Sequence, residues 1–431
     1  MKRFATLRAL GLAWTLCSSL LCLGLDAEDA ARAATETLFS RSDLRAADSL
    51  ATEALRKNSK NLSALFVRME VAHLRLDEEV EIKSALKICD IDPDDPRAMI
   101  AAGRLRELAG SNQRFVRAVP AIRRAIVNGG RASDSLKFAL VAAAADGAPE
   151  LDLLQQSREY GLLTDWKIRG PFGSEGIIDF DKAWPPEKNG KARKFRGTFA
   201  DVYQFADGAV TLSEGADHPG VYYAEGEFEI PSSGTWRLRL QTVGTLDIFL
   251  DGKNVLRRDA RSNVLPEVSW QSLRMEAGKH KVLVKFLPSA SPFRIAILPP
   301  SPGPKRRKAP HAIHAGPESE YVPAALQYFE GNYESLILSL TQRAEKVPPA
   351  PFLLLLAEAW KKVEEDPPEA RDAYARALQT CSDCTQSLLR LAELDLLKTS
   401  SGDSLQGRAE TLIGVQEKSD VALEVAARIF S

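Results

Sequence analysis

Apolar residues recur at helical spacing through the first third of the chain, from about residue 35 to 160. An apolar side chain falls at every third or fourth position, which lines one face of a helix. The clearest runs are Leu44, Ala47, Leu50, Ala51, Ala54 and Leu55, followed by Leu62, Leu65, Phe66, Met69, Ala72 and Leu76. The region 35–160 is therefore predicted to be a series of amphipathic helices.

The pattern changes near Leu163, where apolar and polar residues begin to alternate as they do in β-strands. Asp251-Gly252 is a hairpin signal between two such runs. Several short strands separated by turn signals predict an antiparallel β-sandwich or jelly roll over 163–300. The segment 221–230 shows the alternation best, with Tyr222, Ala224, Phe228 and Ile230 on one face and Glu225, Glu227 and Glu229 on the other.

Helical spacing returns in 318–431. The preceding residues 301–317 are rich in proline and contain the basic run Lys305-Arg306-Arg307-Lys308, which predicts an extended, solvated linker. Gly331-Asn332-Tyr333 is the turn expected between two of the later helices. The predicted fold class is multidomain α and β, with helical-repeat segments on both sides of the antiparallel β-sandwich.

Two segments of the first helical region repeat each other at a fixed distance. Ser59-Lys60-Asn61-Leu62-Ser63-Ala64-Leu65 is answered by Pro93-Asp94-Asp95-Pro96-Arg97-Ala98-Met99, and each residue follows its counterpart by 34 positions. This period, with small residues at Ala64 and Ala98, resembles the tetratricopeptide family, whose consensus Trp and Tyr are missing here. The resemblance implies a tetratricopeptide-like α-solenoid that binds other proteins on a curved surface.

The order of strands and turns in 233–297 resembles lectin-like sandwiches of the protective-antigen type and galactose-binding-like jelly rolls. The Asp251-Gly252 turn and the segment Ala277-Gly278-Lys279-His280, which leads into a strand, carry this resemblance. Some such domains bind sugar through a calcium ion held by adjacent aspartates. Thr242-Val243-Gly244-Thr245 occupies that position here, so calcium-dependent sugar binding is not expected.

Three residues of the predicted sandwich are candidate ligand contacts. Asp247 and Asp251 are the carboxylates that would lead a list of ligands if calcium did bind. Trp184 lies in Ala183-Trp184-Pro185-Pro186 and is the aromatic residue expected to be exposed in a loop, where it could contact a sugar. The alternative is that the aromatic residues of this region form the buried core of the sandwich.

The beginning of the chain has the pattern of an export signal. Lys2, Arg3 and Arg8 form a basic region, and an apolar run follows from Ala9 to Leu25. Residues 1–33 are predicted to be the signal, with Leu25-Asp26-Ala27 and Ala31-Arg32-Ala33 as candidate cleavage sites. The alternative is an uncleaved anchor, although the run is short for a membrane span. The protein is expected to be exported to the periplasm, the cell envelope or the exterior.

Cys381-Ser382-Asp383-Cys384 is the sharpest candidate for chemistry. A Cys-x-x-Cys pair is redox-active when a helix amino end lowers the pKa of its first thiol. The strand-then-helix setting of thioredoxin is missing here, so a structural disulfide in an oxidising compartment is the preferred interpretation. Zinc would need two further ligands at suitable spacing.

The sequence contains neither a nucleophile-elbow pattern nor a phosphate-binding glycine loop. The formal net charge of −1 gives no global field for nucleic acid. We therefore expect no enzyme and no cofactor. The expected function is an exported scaffold that binds partner proteins on helical repeats, with a lectin-like sandwich of unknown ligand. The alternative is an envelope-associated accessory protein that binds carbohydrate.

Overall fold

The computed structural model describes residues 25–109, 113–148, 151–188, 199–212, 219–261, 265–288, 292–300, 313, 316–343, 348–364, 367–397, 403–414 and 419–430. The helices of the first part are α1 (Ala27–Arg41), α2 (Leu44–Lys57), α3 (Leu62–Leu74), α4 (Glu78–Ile91), α5 (Pro96–Glu107), α6 (Gln113–Asn128), α7 (Arg131–Ala145) and α8 (Leu153–Glu159). The short helix α9 (Gly176–Asp179) lies within the β region. The later helices are α10 (Pro317–Phe329), α11 (Tyr333–Arg343), α12 (Ala350–Val363), α13 (Pro368–Thr380), α14 (Thr385–Leu397), α15 (Asp403–Ile413) and α16 (Asp420–Phe430).

Helix starts in the first part are set by repeated side-chain caps. Asp43 and Asp77 cap α2 and α4, and Asn61 and Asp95 cap α3 and α5. Each side chain accepts an N–H of the first turn, which has no partner inside the helix. Within each pair the second cap follows the first by 34 positions. The repeat in the sequence is thus, in physical terms, a repeat of helix start signals.

Equivalent positions of successive helix pairs also contact each other. Arg97 Nη1 donates to Ser63 Oγ at 2.7 Å, and Arg104 Nη2 donates to Glu70 Oε2 at 3.3 Å. Both contacts join residues 34 positions apart, one on α3 and the other on α5. The helices of the first part therefore stack with a regular period, and we call α1–α7 the first array and α10–α16 the second array.

The two arrays pack against each other along a surface that we call the seam. Helix α10 contacts α1 and α5, α12 contacts α1, and α14 contacts α3. One hydrophobic core contains residues of both arrays, among them Phe66, Tyr321 and Phe352. Every residue of α3 except Arg68 is buried. The two helical segments that are far apart in the sequence form one body.

The end of the second array packs back onto the first. The side chain of Ser419 accepts the N–H of Ala422 at the start of α16 and donates to Glu78 Oε1 at 2.6 Å. Leu76, just before α4, belongs to the same apolar cluster as Ala422 and Val425 of α16. The last helix is therefore covered in part by the first array.

Helix α1 begins inside the segment 1–33 that the sequence assigns to the export signal. Asp26 caps this helix, and Ala30 and Ala31 are fully buried in the helical core. Cleavage after Ala33 would remove two turns of α1 with these alanines, whereas cleavage after Ala27 would keep them. Residues 1–24 lie outside the described residues. Among the helices that are described, none is long and apolar enough to cross a membrane.

The β region forms two antiparallel sheets. The strands are β1 (Asp165–Phe172), β2 (Phe199–Gln204), β3 (Val221–Ile230), β4 (Gly234–Gln241), β5 (Leu246–Leu250), β6 (Lys253–Arg258), β7 (Val268–Met275), β8 (Gly278–Phe286) and β9 (Arg294–Leu298). One sheet has the order β2-β1-β3-β8-β5-β6, and the other β7-β4-β9. Apolar residues of both sheets share one core, including Tyr222, Ile248, Leu238 and Ile295. The predicted alternation separates the apolar face of β3 from Glu225, Glu227 and Glu229, but Val221 and Tyr223 on the glutamate face are buried as well.

The β region contacts both arrays. Arg237 Nη1 lies 2.6 Å from Asp134 Oδ2 of α7. Glu267 N donates to Gly331 O at 3.1 Å, and Tyr333 of α11 donates to Glu267 Oε2 at 3.1 Å. These contacts fix the β region on the helical body. Most of the predicted linker 301–317 lies outside the described residues.

Candidate functional site

The seam is formed by α1, α3 and α5 of the first array and α10, α12 and α14 of the second, which we call the inner helices. Tyr321 of α10 lies at its centre, with its ring 4.6 Å from that of Phe39 and 5.3 Å from that of Phe352. Its hydroxyl donates to Glu70 Oε2 at 2.8 Å. Helix α10 of the second array is therefore held against the first array by the stacking of Tyr321 on Phe39 and by the buried hydrogen bond to Glu70.

Buried ion pairs continue along the seam. Arg97 binds Asp95 through Nε at 2.8 Å and lies 3.3 Å from Glu318 of α10 through Nη1. Arg104 contacts Glu70 at 3.3 Å and Glu107 at 3.2 Å, and Tyr328 of α10 donates to Glu107 at 2.9 Å. Arg97, Glu318, Arg104 and Glu70 are all nearly inaccessible to solvent. Each of these buried charges requires its partner, since an unpaired one would cost several kcal/mol.

His73 and Glu81 form a second kind of buried contact. His73 Nδ1 and Glu81 Oε1 are 3.1 Å apart, a distance that fits either an ion pair or a neutral hydrogen bond. Burial lowers the pKa of His73 to about 3 and raises the pKa of Glu81 to about 8. Desolvation thus outweighs their mutual attraction, and at neutral pH the protonated Glu81 donates to a neutral His73.

The second array carries its own buried pair at Glu358 of α12. Arg390 Nε of α14 donates to Glu358 Oε1 at 2.8 Å, and Arg390 Nη1 contacts Glu393 Oε2 at 2.9 Å. Burial opposes ionisation of Glu358, but Arg390 and Lys361 outweigh it and lower its pKa to about 2. The two arrays are therefore built on the same principle, in which an arginine of one inner helix binds a glutamate of the neighbouring inner helix.

A glycine permits the close approach of the two arrays, and its substitution tests the seam. A Cβ on Gly103 of α5 would lie 2.3 Å from Cδ1 of Phe329 in α10. We expect Gly103→Ala to lower the free energy of unfolding by about 1–3 kcal/mol through overpacking, although alanine favours a helix by about 1 kcal/mol. The measurement is the urea midpoint. Gly234→Ala is the control, because its Cβ meets no atom closer than 3.9 Å; a Gly103→Ala protein as stable as wild type would contradict the packing.

The structure places the three candidate residues of the sandwich in separate settings. Trp184 is half-buried: its indole N–H donates to Asp179 O at 3.1 Å, and its ring lies 6.0 Å from that of Phe172. The expectation of an exposed ring is therefore not met, because the loop folds back on the sheet. Asp251, in the turn between β5 and β6, binds the neighbouring strand β8: it accepts from Lys281 N at 2.9 Å and contacts His280 Nδ1 at 2.7 Å, and this contact raises the pKa of His280.

Asp247 belongs to a row of polar residues that sequence reasoning missed. The register pairs Tyr223 of β3 with Lys285 of β8, Lys285 with Asp247 of β5, and Asp247 with Arg257 of β6. Their strand neighbours point into the sandwich core, so this polar row lies on the opposite face of the sheet. The sequence contains one indication of this polar row, because Lys285 interrupts the apolar run Val282-Leu283-Val284 just before Phe286.

Residues 173–188, which we call the cover segment, bury the polar row. Lys285 Nζ donates to Lys182 O and to Glu187 Oε1, both at 2.8 Å, and the hydroxyl of Tyr223 also donates to Glu187 Oε1. The ring of Phe180 lies 5.1 Å from Lys285 Nζ. Burial raises the pKa of Asp247, and its Oδ1 has no hydrogen-bond partner among the described residues. The polar row thus holds the cover segment against the sheet through hydrogen bonds.

Arg257 of the polar row and Arg261 hold the middle of the cover segment. Arg257 Nη2 lies 2.6 Å from Asp181 Oδ1, and Arg261 Nη1 lies 2.9 Å from Asp181 Oδ2. These hydrogen bonds, with that of Arg261 foremost, lower the pKa of Asp181 to about 2. Among the described residues, no group of three or more His, Cys, Asp or Glu side chains could hold a metal ion. The ion pairs of Asp181 with Arg257 and Arg261, and of Glu187 with Lys285, hold the cover segment on the sheet.

Cys381 and Cys384 form a disulfide in the loop between α13 and α14. Both are buried, and Asp383 between them contacts Arg45 Nε of α2 at 2.9 Å and Arg75 Nη2 at 3.8 Å. The disulfide loop therefore presents a carboxylate to the first array.

Loss of this disulfide should have a modest effect. For the double variant Cys381→Ser and Cys384→Ser we expect about 2 kcal/mol of lost stability in urea, because so short a loop closes little chain entropy. Asp383→Asn, which keeps the disulfide, should cost less than about 1 kcal/mol because its ion pairs are partly exposed. Reduction of insulin disulfides by the wild-type protein, lost in the double variant, would show a redox role instead.

Comparison with known proteins gives no family. Neither a protein-family model nor a curated protein matches the chain. Short segments are similar to solved structures of a beta-glucosidase from Kluyveromyces marxianus in complex with glucose (12% identity over 23% of this chain and 14% of that chain, TM-score 0.20) and of its Se-Met labelled form (13%, 31% and 17%, TM-score 0.23). An alpha-xylosidase from Xanthomonas citri shares 28% identity over 19% of this chain and 9% of that chain, with a TM-score of 0.17. The chain spans less than a fifth of each of these proteins, and TM-scores this low carry no argument about fold or activity.

Proposed function

We propose that this protein is an exported, non-catalytic scaffold for protein–protein interaction, built on tetratricopeptide-like helix pairs that hold a lectin-like β-sandwich in a fixed position. The observation that carries the proposal is the seam, in which Arg97, Arg104, Glu70 and Glu318 are buried and paired across or beside the two arrays. Buried ion pairs add little stability compared with apolar residues of similar volume, and in some proteins they select one arrangement of the packed elements. A scaffold has to hold its domains in one relative position, and buried ion pairs that favour a single packing arrangement would serve that purpose.

The seam also determines where a partner would bind. Because the inner helices α3, α10 and α12 are packed on each other, the surface left for a second protein is the outer one. Val127 near the end of α6 is 82% exposed and Leu338 on α11 is 63% exposed, one on each array. Single exposed apolar residues are common on protein surfaces, and these two positions are suitable for a photoreactive probe because their side chains are accessible.

The experiment that tests this function is photo-crosslinking with full-length protein in an envelope extract. A photoreactive amino acid replaces Val127 or Leu338, and Val202 on the edge strand β2, which is 79% exposed, is the matched control in the sandwich. We expect a discrete protein product from at least one helical position that is absent from the control position. Products from Val202 alone would assign recognition to the sandwich and contradict the proposal.

A further inference from the structure

Arg239 is a buried cation at the junction between the β region and the helical body. It lies on β4, opposite Trp270 of β7, and only 4% of it is exposed. Its guanidinium sits 4.1 Å from the ring of Phe138 on α7 and 6.0 Å from the ring of Trp270. Nη1 donates to Gln241 Oε1 at 3.2 Å. Among the described residues Arg239 forms no ion pair, in contrast to the buried arginines of the seam.

Three carboxylates around this junction are bound to other groups. Glu267 accepts from Gln241 Nε2 at 2.7 Å and from the hydroxyl of Tyr333 at 3.1 Å. Asp134 lies 2.6 Å from Arg237 Nη1, and Asp207 accepts from Arg294 Nη2 at 2.7 Å. None of these three carboxylates neutralises the guanidinium of Arg239 by direct contact.

Other cations face Arg239 from both sides of the junction. Burial lowers the pKa of Arg239 to about 9, and Arg106 of α5 and Arg294 of β9 lower it further against the opposing effects of Glu267 and Asp134. An arginine does not give up its proton in a protein at neutral pH. Arg239 is therefore a positive charge without an ion-pair partner among the described residues, which is costly to keep in a buried position.

The geometry points to a binding site for an oxyanion, a carboxylate or phosphate group of a small polar ligand, held by the guanidinium of Arg239 beside the exposed indole of Trp270. A guanidinium presents a planar set of donors that matches carboxylate and phosphate oxygens. Trp270 is 47% exposed, and the guanidinium of Arg237 lies 5.6 Å from its ring. The indole thus gives the site an open aromatic wall, on which the ring of an anionic sugar would stack.

The test is calorimetric and thermal titration of the full-length protein with inorganic phosphate, glucuronate and glucose at matched ionic strength. We expect phosphate or glucuronate to bind and to raise the melting temperature with increasing concentration, and glucose to do neither. Tighter binding of glucuronate than of phosphate identifies an anionic sugar as the class of ligand; the opposite order identifies a free phosphate.

The variant Arg239→Met distinguishes a ligand-binding role of Arg239 from a purely structural one. Because methionine removes an unpaired buried charge, the variant should melt at a higher temperature than wild type without ligand, and its binding of the anions should be weaker by about tenfold or more. Arg56→Met, at an exposed position of α2, is the control and should bind as wild type does. Absence of binding by both anions, or equal binding by wild type and Arg239→Met, would overturn the site.

Discussion

A methionine in place of Arg104 should lower the free energy of unfolding by about 3–5 kcal/mol. The change removes the cation that contacts Glu70 and Glu107 inside the seam, and the carboxylate of Glu70 would stay buried without its charge partner. The guanidinium also lies over the ring of Phe329, at 5.3 Å, so packing is lost as well. The measurement is the urea unfolding curve at neutral pH.

Two further variants make this prediction specific to the buried charge. Arg56→Met removes a surface ion pair with Glu53 and should change stability by less than about 1 kcal/mol. Adding Glu70→Gln to Arg104→Met should restore part of the loss, because the amide still accepts from the Tyr321 hydroxyl but carries no charge. If Arg104→Met costs no more than Arg56→Met, the seam is not held by these charges.

Glu81 and His73 should give the protein an asymmetric dependence of stability on pH. The pKa of Glu81 is raised to about 8 in the folded state, so its contribution is complete below the unfolded value of 4.5 and is lost as the pH rises toward 8. The pKa of His73 is lowered to about 3, so its contribution is present above 6.5 and is lost as the pH falls toward 3. Between 4.5 and 6.5 the two slopes have opposite signs and largely cancel.

The variants Glu81→Gln and His73→Gln separate the contributions of the two residues to the pH dependence of stability. Glu81→Gln keeps a donor for His73 Nδ1 and should abolish a decline of about 2 kcal/mol between pH 6.5 and 8, at about 1.4 kcal/mol per pH unit. It should also uncover the rise that His73 causes between pH 4.5 and 6.5. His73→Gln should instead flatten the slope below pH 4.5 and uncover the decline that Glu81 causes between pH 4.5 and 6.5. Melting temperatures measured across this range test both, and an unchanged alkaline slope in Glu81→Gln would show that Glu81 is not the group that titrates.

Features that depend on neighbouring residues could be predicted from the sequence. The helix starts follow from capping side chains such as Asn61 and Asp95, whose effect ends within the first turn. The strand β3 follows from the alternation of Tyr222 and Ala224 with Glu225. Local chemistry is enough for both, because the partner groups lie within a few residues.

Features that depend on distant residues could not be predicted. Helix α3 is apolar on almost every side, which indicates deep burial, but nothing local identifies Tyr321 or Glu318 as what covers it. Tyr223 stands on the glutamate face of β3, and its burial depends on the cover segment that lies some forty residues earlier. Arg239 alternates with apolar residues like any exposed strand residue, and only the docking of α7 makes it a buried charge. In each case the deciding contact is long-range.

The two arrays are closed on each other along the seam, and disulfide trapping tests this arrangement most directly. Ser42, directly after α1, accepts the N–H of Ala350 of α12 at 2.8 Å through its Oγ, which brings the two backbones within the reach of a disulfide. Cysteines at these two positions should therefore cross-link within one chain on mild oxidation, in a Cys89→Ser background. A pair with one cysteine at Arg56 on the outer side of α2 and the other at Ala350 should not. Efficient intramolecular cross-linking of the 42–350 pair alone is the result this structure predicts, and equal or absent cross-linking of both pairs would show that the arrays stand apart.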